Sequence, residues 1–295
     1  MGRTLMQTKY LVPVKRGVHS LQKCGSRAGI TFSQARSTTE AVLSYHYDEI
    51  FFDYLERGSL TSAREVVPIL AGALTIRSVL DVGCGRGAWL SQWASHGAQD
   101  IIGVDGGYVN VERLAIPRER FRALDLSDSF DLGRTFDLVE CLEVGEHIPQ
   151  DRSETLIDNL VRHGQMVFFS AAVLGQGGEF HVNEQPLCFW RDLFRVRDYH
   201  AFDFVRPLLG RSEVEPWYRY NALLYVRADA IPKLSDTVAA TRIRDGVKIP
   251  DLSPLHWRLR RTVLRLLPTG TVTKLAVVKH QLMLARQTYF RNKLS

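Results

Sequence analysis

A glycine-rich turn between an apolar run and an amphipathic segment constrains the fold of this 295-residue chain more than any other feature. Val79-Leu80-Asp81-Val82 predicts a short buried strand, which breaks at Gly83-Cys84-Gly85-Arg86-Gly87. Helical spacing of apolar residues resumes at Ala88, Trp89, Leu90, Trp93 and Ala94. Glycines in such a turn let the backbone approach a ligand at φ angles that side chains disfavour. The pattern predicts an α/β protein with a nucleoside-binding turn.

Predicted strands and helices alternate along the rest of the body. Strands are predicted over 78–83, 100–105, 120–124, 136–141, 166–171, about 200–206 and 221–227. Helices are predicted over about 61–74, 87–96, 108–114 and 151–163. This alternation is typical of βαβ units, which form a mostly parallel sheet with helices on both faces.

Two kinds of nucleoside ligand fit the glycine turn. Gly83 to Ala88 satisfies the dinucleotide pattern G-x-G-x-x-A, and Asp105 follows at about the expected distance, so a nicotinamide-dependent oxidoreductase is one alternative. Asp81 favours the other ligand, since an acid there would lie too close to a pyrophosphate. The same acid suits the positively charged amino acid end of S-adenosylmethionine.

The motif D-V-G-C-G-R-G over Asp81 to Gly87 resembles the first motif of class I S-adenosylmethionine-dependent methyltransferases. The resemblance covers roughly residues 45–228 and implies a Rossmann-like fold, whose seven-stranded sheet is mostly parallel with an antiparallel last strand at 221–226. It implies that Asp105 binds the ribose hydroxyls and Asp125 the adenine amino group. The other cofactor-binding positions that it implies are Asp81, Gly83, Cys84, Gly85, Gly106, Leu126 and Cys141.

A second constellation, Glu143-Val144-Gly145-Glu146-His147, follows the fourth predicted strand. One helical turn would place its two carboxylates and its imidazole on one face. The loop from Gly175 to His181 follows the fifth strand, and the carboxyl ends of neighbouring parallel strands face the same crevice. We therefore expect His181 to lie near the E-x-x-E-H segment.

This E-x-x-E-H segment with a later histidine resembles the metal site of small-RNA 2′-O-methyltransferases, and in part that of magnesium-dependent ubiquinone-pathway O-methyltransferases. The resemblance implies that Glu143, Glu146, His147 and His181 are ligands. Mg²⁺ prefers oxygen, however, and two histidines suit it poorly. In the metal-free alternative, His147 or His181 accepts the proton of an acceptor hydroxyl as a catalytic base.

The acceptor region combines polar and aromatic side chains. The segments 175–190 and 215–221 resemble bacterial methyltransferases of glycan and secondary-metabolite assembly. Asn183, Glu184 and Gln185 offer a polar edge, while Phe189, Trp190, Trp217 and Tyr218 either present flat faces to a sugar or form plain core. The predicted reaction is methyl transfer to a hydroxyl of a small-molecule or glycan acceptor. RNA 2′-O-methylation and a non-catalytic subunit that binds S-adenosylmethionine are the alternatives.

Charge divides the chain into three parts. Residues 1–36 hold seven Lys and Arg without an acid, and residues 231–295 hold thirteen against three acids, which leaves residues 37–230 with a net charge of −11. We therefore predict a basic arm over 1–40, a methyltransferase domain over 41–230 and a basic helical extension over 231–295. An acidic body does not favour DNA as a partner.

The basic extension contains an apolar stripe at helical spacing, formed by Leu275, Val278, Leu282 and Ala285. Such a stripe either caps the core or contacts an anionic membrane peripherally. No apolar run reaches about 18 residues, and the four cysteines form no C-x-x-C pair. The composition predicts a cytoplasmic enzyme without a disulfide framework, and it gives no indication of oligomeric state.

Overall fold

Seven strands and seven α-helices make up the part of the chain that the computed structural model describes, namely residues 49–210, 212–268, 270–272, 274, 275 and 278. The strands are β1 (Ser78–Val82), β2 (Asp100–Asp105), β3 (Phe121–Ala123), β4 (Leu138–Leu142), β5 (Met166–Ser170), β6 (Tyr199–Phe202) and β7 (Leu223–Arg227). The helices are α1 (Glu49–Ala73), α2 (Ala88–Ser95), α3 (Ser153–His163), α4 (Leu187–Arg195), α5 (Pro216–Asn221), α6 (Asp236–Ala239) and α7 (Leu255–Leu264).

All seven strands belong to one sheet in the order β3-β2-β1-β4-β5-β7-β6. The first five strands in this order are parallel, whereas β7 is antiparallel to both β5 and β6. The predicted fold class, with its antiparallel last strand, is confirmed. Because β1 lies between β2 and β4, the carboxyl ends of these three strands meet at one edge of the sheet.

Apolar side chains cover both faces of this sheet. On one face α1 and α2 contribute buried residues such as Leu70 and Trp93. On the other face α3 and α4 contribute residues such as Leu160 and Phe194. The strand residues between them are almost completely buried, which explains why β1, β4 and β5 are mostly apolar in the sequence. Asp81 in β1 and Glu140 in β4 are the acidic exceptions.

Several predicted elements differ from the observed ones. The predicted helix over 108–114 was wrong, since only a single 3₁₀ turn forms there, at Val111–Arg113. The helices α4 and α5 were missed because they are short and begin directly after or at a proline, where the apolar period has little length to show itself. In contrast, α7 lies within the predicted basic helical extension.

Only some of the predictions for the two ends of the chain concern residues that the structure describes. The predicted basic arm over 1–40 and the residues Leu282 and Ala285 lie outside the described residues. Leu275 and Val278 are 49% and 50% exposed, so these two members of the stripe do not cap the core. The division into three parts stays a prediction. Within the described ranges, no helix is both long enough and apolar enough to span a bilayer.

Candidate active site

Three acids lie buried at the carboxyl edge of the central strands. Asp81 on β1 is 3% exposed and stands in register with Glu140 on β4, which is fully buried. Asp105 ends the neighbouring strand β2 and is 4% exposed. Adjacent parallel strands thus bring together acids that are 24 to 59 positions apart in the sequence. Glu140 was not among the predicted site residues.

The glycine turn connects β1 to α2 directly above these acids. Gly83 has a φ of 88°, and a Cβ atom there would lie 2.1 Å from Cγ2 of Val144, so the turn packs tightly against the segment that follows β4. Gly85 has a φ of 53°, and a Cβ atom there would meet nothing within 4 Å. The turn is therefore closed on the Val144 side and open for a ligand at Gly85.

Asp105 is held in place by the turn and by the residues that follow β2. Its Oδ2 accepts a hydrogen bond of 2.7 Å from the amide of Gly85. Its Oδ1 accepts hydrogen bonds from the amide of Gly106 at 2.6 Å and from the hydroxyl of Tyr108 at 2.5 Å. Asp105, Gly85 and Gly106 thus form one connected group. Tyr108 belongs to this group as well, although no sequence pattern singled it out.

Burial disfavours the charged forms of these three acids and therefore raises their pKa values. It raises the pKa of Asp81 to about 8, with a further contribution from the charge of Asp105. Burial also raises the pKa of Asp105, and it raises the pKa of Glu140 well above the ordinary value. Trp93 donates a hydrogen bond of 2.7 Å to one oxygen of Glu140, while the other oxygen has no partner among the described residues. A cationic ligand at this edge would favour the ionised acids.

The remaining predicted cofactor residues lie either in an exposed loop or in the core. Asp125 is exposed in the loop after β3, where its Oδ1 accepts a hydrogen bond of 2.9 Å from the amide of Ser127. Leu126 and Cys141 pack in the core, and Cys141 has no exposed surface at all. The Cys84 side chain is also buried, beside Gly103. A cofactor contact of Asp125 stays a prediction, whereas the side chain of Cys141 faces the core and not the open edge.

The E-x-x-E-H segment and the later histidine come together as expected. Gly145–His147 forms one 3₁₀ turn after β4. The amides of Val182 and Asn183 donate hydrogen bonds of 2.9 and 3.0 Å to the carbonyl oxygen of Glu146. The loop after β5 is thereby held against this turn, and the ring centroids of His147 and His181 are 5.0 Å apart.

Four potential donors surround this contact. One donor atom each from Glu146, His147 and His181 lies within 4.8 Å of the others. Glu146 is 1% exposed, and its carboxyl group lies beside that of Glu143. One oxygen of Glu143 accepts a hydrogen bond of 2.9 Å from Gln176. Two neighbouring carboxyl groups beside two imidazoles fit a divalent cation, and this mixed oxygen and nitrogen set suits a transition metal better than Mg²⁺.

Burial also governs the protonation of these groups. Burial, and then the charge of Glu143, raise the pKa of Glu146 well above its ordinary value. Burial raises the pKa of Glu143. Desolvation of the ring and the neighbouring His181 lower the pKa of His147 to about 4, although part of this residue is exposed. His147 is therefore neutral at pH 7 and can accept a proton or bind a cation.

Glu184 organises the loop around His181. Burial alone would raise the pKa of Glu184, but hydrogen bonds from His181 and from the amides of Gly177 and Gly175 lower it. Its carboxylate accepts a bond of 2.9 Å from Nδ1 of His181 and bonds of 2.7 Å from each glycine amide. Because an ionised carboxylate can only accept, Nδ1 of His181 carries the proton of this hydrogen bond. Glu184 therefore orients the ring of His181.

A cavity of about 310 Å³ opens beside His181. Its walls come from the loop after β5 and from the segment that contains and follows α7. The polar lining residues are His181, Glu184 and Arg265. Its apolar lining residues are Leu174, Val182, Leu264, Leu267 and Val272. The cavity thus offers both hydrogen-bonding and apolar surface next to the histidine.

Comparison with known proteins relates the central part of the chain to one family. A family model described as a methyltransferase domain matches residues 47–170, which is less than half of the chain. The match contains the glycine turn, the three acids and the E-x-x-E-H segment, and the sheet confirms the predicted Rossmann-like methyltransferase fold.

Individual relatives share this domain only in part. The chain is 36% identical over 160 residues to a ubiquinone biosynthesis O-methyltransferase of Acinetobacter baylyi, which covers 46% of this chain and 60% of the relative. It is 27% identical over 194 residues to the protein of the same name from Cronobacter sakazakii, covering 54% of this chain and 77% of that one. The chain thus spans about 60% of the length of the Acinetobacter relative.

Solved structures of similar proteins include a sugar N-methyltransferase from Streptoalloteichus, with 18% identity and a TM-score of 0.45. The match covers 68% of this chain and 99% of that one.

The structure decides between the two roles that the sequence left open for the aromatic residues of the predicted acceptor region. Trp190 is 1% exposed and Tyr218 is 7% exposed, and both pack in the core. These two rings are therefore not faces for a sugar. None of the four predicted aromatic residues lines the described cavity. The sequence left both roles open because a single aromatic residue in a short helix does not show which face of that helix is buried.

Proposed function

We propose that this chain transfers the methyl group of S-adenosylmethionine to an acceptor hydroxyl. The observation that carries the proposal is the set of buried acids Asp81, Asp105 and Glu140 beside the open turn at Gly85, within a methyltransferase domain. S-adenosylmethionine carries a sulfonium and an ammonium group, and cationic groups favour the ionised form of buried acids. Asp105, at the end of β2, is the acid that we propose for the ribose hydroxyls.

Two features support oxygen as the acceptor atom. The relative from Acinetobacter baylyi is an O-methyltransferase by name. In addition, His181 is oriented through Glu184, and we propose its Nε2 as the base that takes the proton of a hydroxyl. We propose that the acceptor is a saccharide or secondary metabolite with both polar and apolar parts, since the cavity beside His181 has both kinds of lining.

The chemical step is an in-line displacement. A lone pair of the acceptor oxygen forms the new bond to the methyl carbon, while the carbon–sulfur bond breaks and its electrons stay on sulfur. The products are the methyl ether and neutral S-adenosylhomocysteine, and the hydroxyl proton passes to Nε2 of His181. The protein aligns the two reactants and excludes water from the transfer.

A divalent cation is the alternative to proton transfer to His181. In that case Glu146, His147 and His181 would hold the ion, with Glu143 as the fourth candidate ligand, and Nε2 of His181 would bind the ion instead of the proton. When bound, such an ion lowers the pKa of a coordinated hydroxyl. The imidazole nitrogens favour Mn²⁺, Fe²⁺ or Zn²⁺ over Mg²⁺.

The proposed reaction can be tested in two stages. Calorimetric titration with S-adenosylhomocysteine should show binding, and tritiated methyl from S-adenosylmethionine should then be transferred to hydroxyl acceptors in a panel of glycosides and phenols. Glu184→Gln removes the charge that fixes Nδ1 protonation, so we expect turnover to fall about 10- to 100-fold while S-adenosylhomocysteine affinity stays the same. A matched control is Glu154→Gln, which changes a carboxylate that is 75% exposed on α3. If S-adenosylhomocysteine does not bind at all, the proposal is wrong.

The cation has its own test. Titration with Mn²⁺ should show one site, and Glu146→Gln should weaken it at least about tenfold because the substituted side chain loses an anionic ligand. Glu154→Gln again serves as the control. If neither Mn²⁺ nor Zn²⁺ binds, the metal proposal fails, whereas the methyl-transfer proposal is still tested by the turnover of His181→Ala.

A further inference from the structure

The segment after Asp251 exposes an apolar stripe that belongs to no described core. Leu255, Leu259 and Val263 on α7 are 70%, 58% and 59% exposed. Their four-residue spacing places them within an arc of about 80° on the helix surface. Leu266 follows the helix and is 81% exposed. Four large apolar side chains within twelve residues face solvent together, which is unusual unless the surface contacts another apolar phase.

The other face of α7 is held by the body of the protein. Arg261 forms an ion pair with Asp251, and the guanidinium of Arg260 donates a hydrogen bond of 2.7 Å to the carbonyl oxygen of Gln176. A Cβ atom on Gly175 would lie 2.3 Å from the carbonyl oxygen of Arg261, so the helix rests directly on the loop after β5. These contacts hold α7 in one orientation, with the apolar stripe directed outward.

The segment after Asp251 carries only positive charge, and Asp251 itself pairs with Arg258 and Arg261. After Asp251 the chain contains nine Lys and Arg and no Asp or Glu. Arg258, Arg265 and Lys274 are exposed in this segment. On the helix, Arg258 and Arg260 follow Leu255 and Leu259 on either side of the stripe. Apolar side chains flanked by cations are the composition of helices that lie in the interface of an anionic bilayer.

We propose that this surface, formed by Leu255, Leu259, Val263 and Leu266 with the surrounding basic residues, docks on an anionic membrane. The apolar side chains enter the boundary between headgroups and acyl chains, and the exposed basic side chains around them, such as Arg265 and Lys274, contact the lipid phosphates. The charge distribution decides for a membrane over a second copy of the chain, since two such basic faces would repel each other. This inference goes beyond methyl transfer and does not depend on it.

Flotation with lipid vesicles tests the inference on the full chain. The protein should float with vesicles of phosphatidylcholine that contain about 30% phosphatidylglycerol. This anionic fraction supplies the surface charge that such segments require. Vesicles of phosphatidylcholine alone should bind at least about tenfold less, and raising the salt from about 0.15 M to 0.5 M should release the bound protein.

Variants separate this surface from the other basic segments of the chain. The triple variant Leu255→Ser, Leu259→Ser, Val263→Ser should lose at least about tenfold in partitioning, because three apolar side chains no longer enter the bilayer. The control Val196→Ser, Leu208→Ser alters side chains that are 67% and 58% exposed away from this segment and should bind as the parent does. Both variants should keep the thermal transition of the parent, since the altered side chains are exposed.

Three outcomes would overturn the inference. The first is the absence of binding to the anionic vesicles. The second is equal binding by the triple variant and the parent, which would assign any lipid contact to another segment. The third is a dimer in sedimentation velocity that the triple variant dissociates, because the stripe would then be covered by a second copy.

Discussion

At the scale of single residues, burial determines what the acids of this site can do. Asp81, Asp105 and Glu140 are ordinary carboxyl groups in the sequence, yet all three are at most 4% exposed. Glu184 is the contrasting case, since its hydrogen bonds lower its pKa despite burial, whereas the pKa of Asp105 is raised in spite of its three hydrogen bonds. A cationic ligand would favour the ionised forms of Asp81, Asp105 and Glu140.

Asp105→Ala tests the ribose assignment. The substitution removes the acceptor for the proposed ribose hydroxyls, so we expect S-adenosylhomocysteine binding to weaken by about 2–4 kcal/mol in calorimetric titration. Asp105→Asn keeps the shape of the side chain and an oxygen that accepts hydrogen bonds, and its loss should be smaller. Asp100→Ala, at the other end of β2, should leave the affinity unchanged. Near-normal affinity of the Asp105→Ala variant would show that the ribose lies elsewhere.

At the scale of elements, two glycines in the turn between β1 and α2 are required for different physical reasons. Gly83 is required for packing against Val144, while Gly85 is required for open space beside the acids. The strands on either side were predictable because each is short, apolar and bounded by polar or glycine residues. The exact length of the helices was less predictable, and α1 extends from Glu49 and not from about residue 61.

Gly83→Ala and Gly85→Ala should therefore behave differently. Both introduce left-handed strain of about 1–2 kcal/mol. Gly83→Ala adds an overlap with Val144, so its free energy of unfolding in urea should fall by a further 1–3 kcal/mol, roughly. Gly85→Ala should show the strain alone, yet it should lose S-adenosylhomocysteine affinity at least about tenfold because its methyl group enters the open space of the turn. Equal destabilisation by the two substitutions would contradict the described packing.

At the scale of the whole molecule, the buried acids couple stability to pH. The pKa of Asp81 is raised from an ordinary 3.8 to about 8 in the folded chain. Between these two values the folded state binds a proton that the unfolded state has released, so stability falls as the pH rises from about 4 to about 8. A cationic ligand that binds beside Asp81, Asp105 and Glu140 should therefore increase the free energy of unfolding.

Thermal unfolding of the ligand-free protein at pH 6 and pH 8 measures this coupling. We expect the Tm of the parent to fall over this interval, and Asp81→Asn to reduce the fall because its amide does not titrate. The same variant should bind S-adenosylmethionine more weakly, since the proposed partner of its ammonium group is then neutral. The control Asp151→Asn, in the turn before α3, should show the pH dependence of the parent. An identical fall in Asp81→Asn and the parent would mean that Asp81 ionises normally.

The sequence by itself determined the fold class, the glycine turn and the region of the second constellation, because apolar period, glycine spacing and clustered ionisable residues are local patterns. Only the tertiary structure decided which side chains share a site. Glu140, Tyr108, Gln176 and Glu184 join the predicted residues through contacts across strands and loops, which no local pattern encodes.

The aromatic residues and the C-terminal segment also show which properties follow from the sequence and which depend on the tertiary structure. Trp190 and Tyr218 could stack on an acceptor or fill the core, and burial assigned them to the core. The apolar residues of α7 were not part of the predicted stripe, and the contacts of Arg260 and Arg261 with the body leave Leu255, Leu259 and Val263 facing solvent. A sequence specifies which surfaces are apolar. Which of them is covered depends on how the elements pack, and that is a property of the folded chain as a whole.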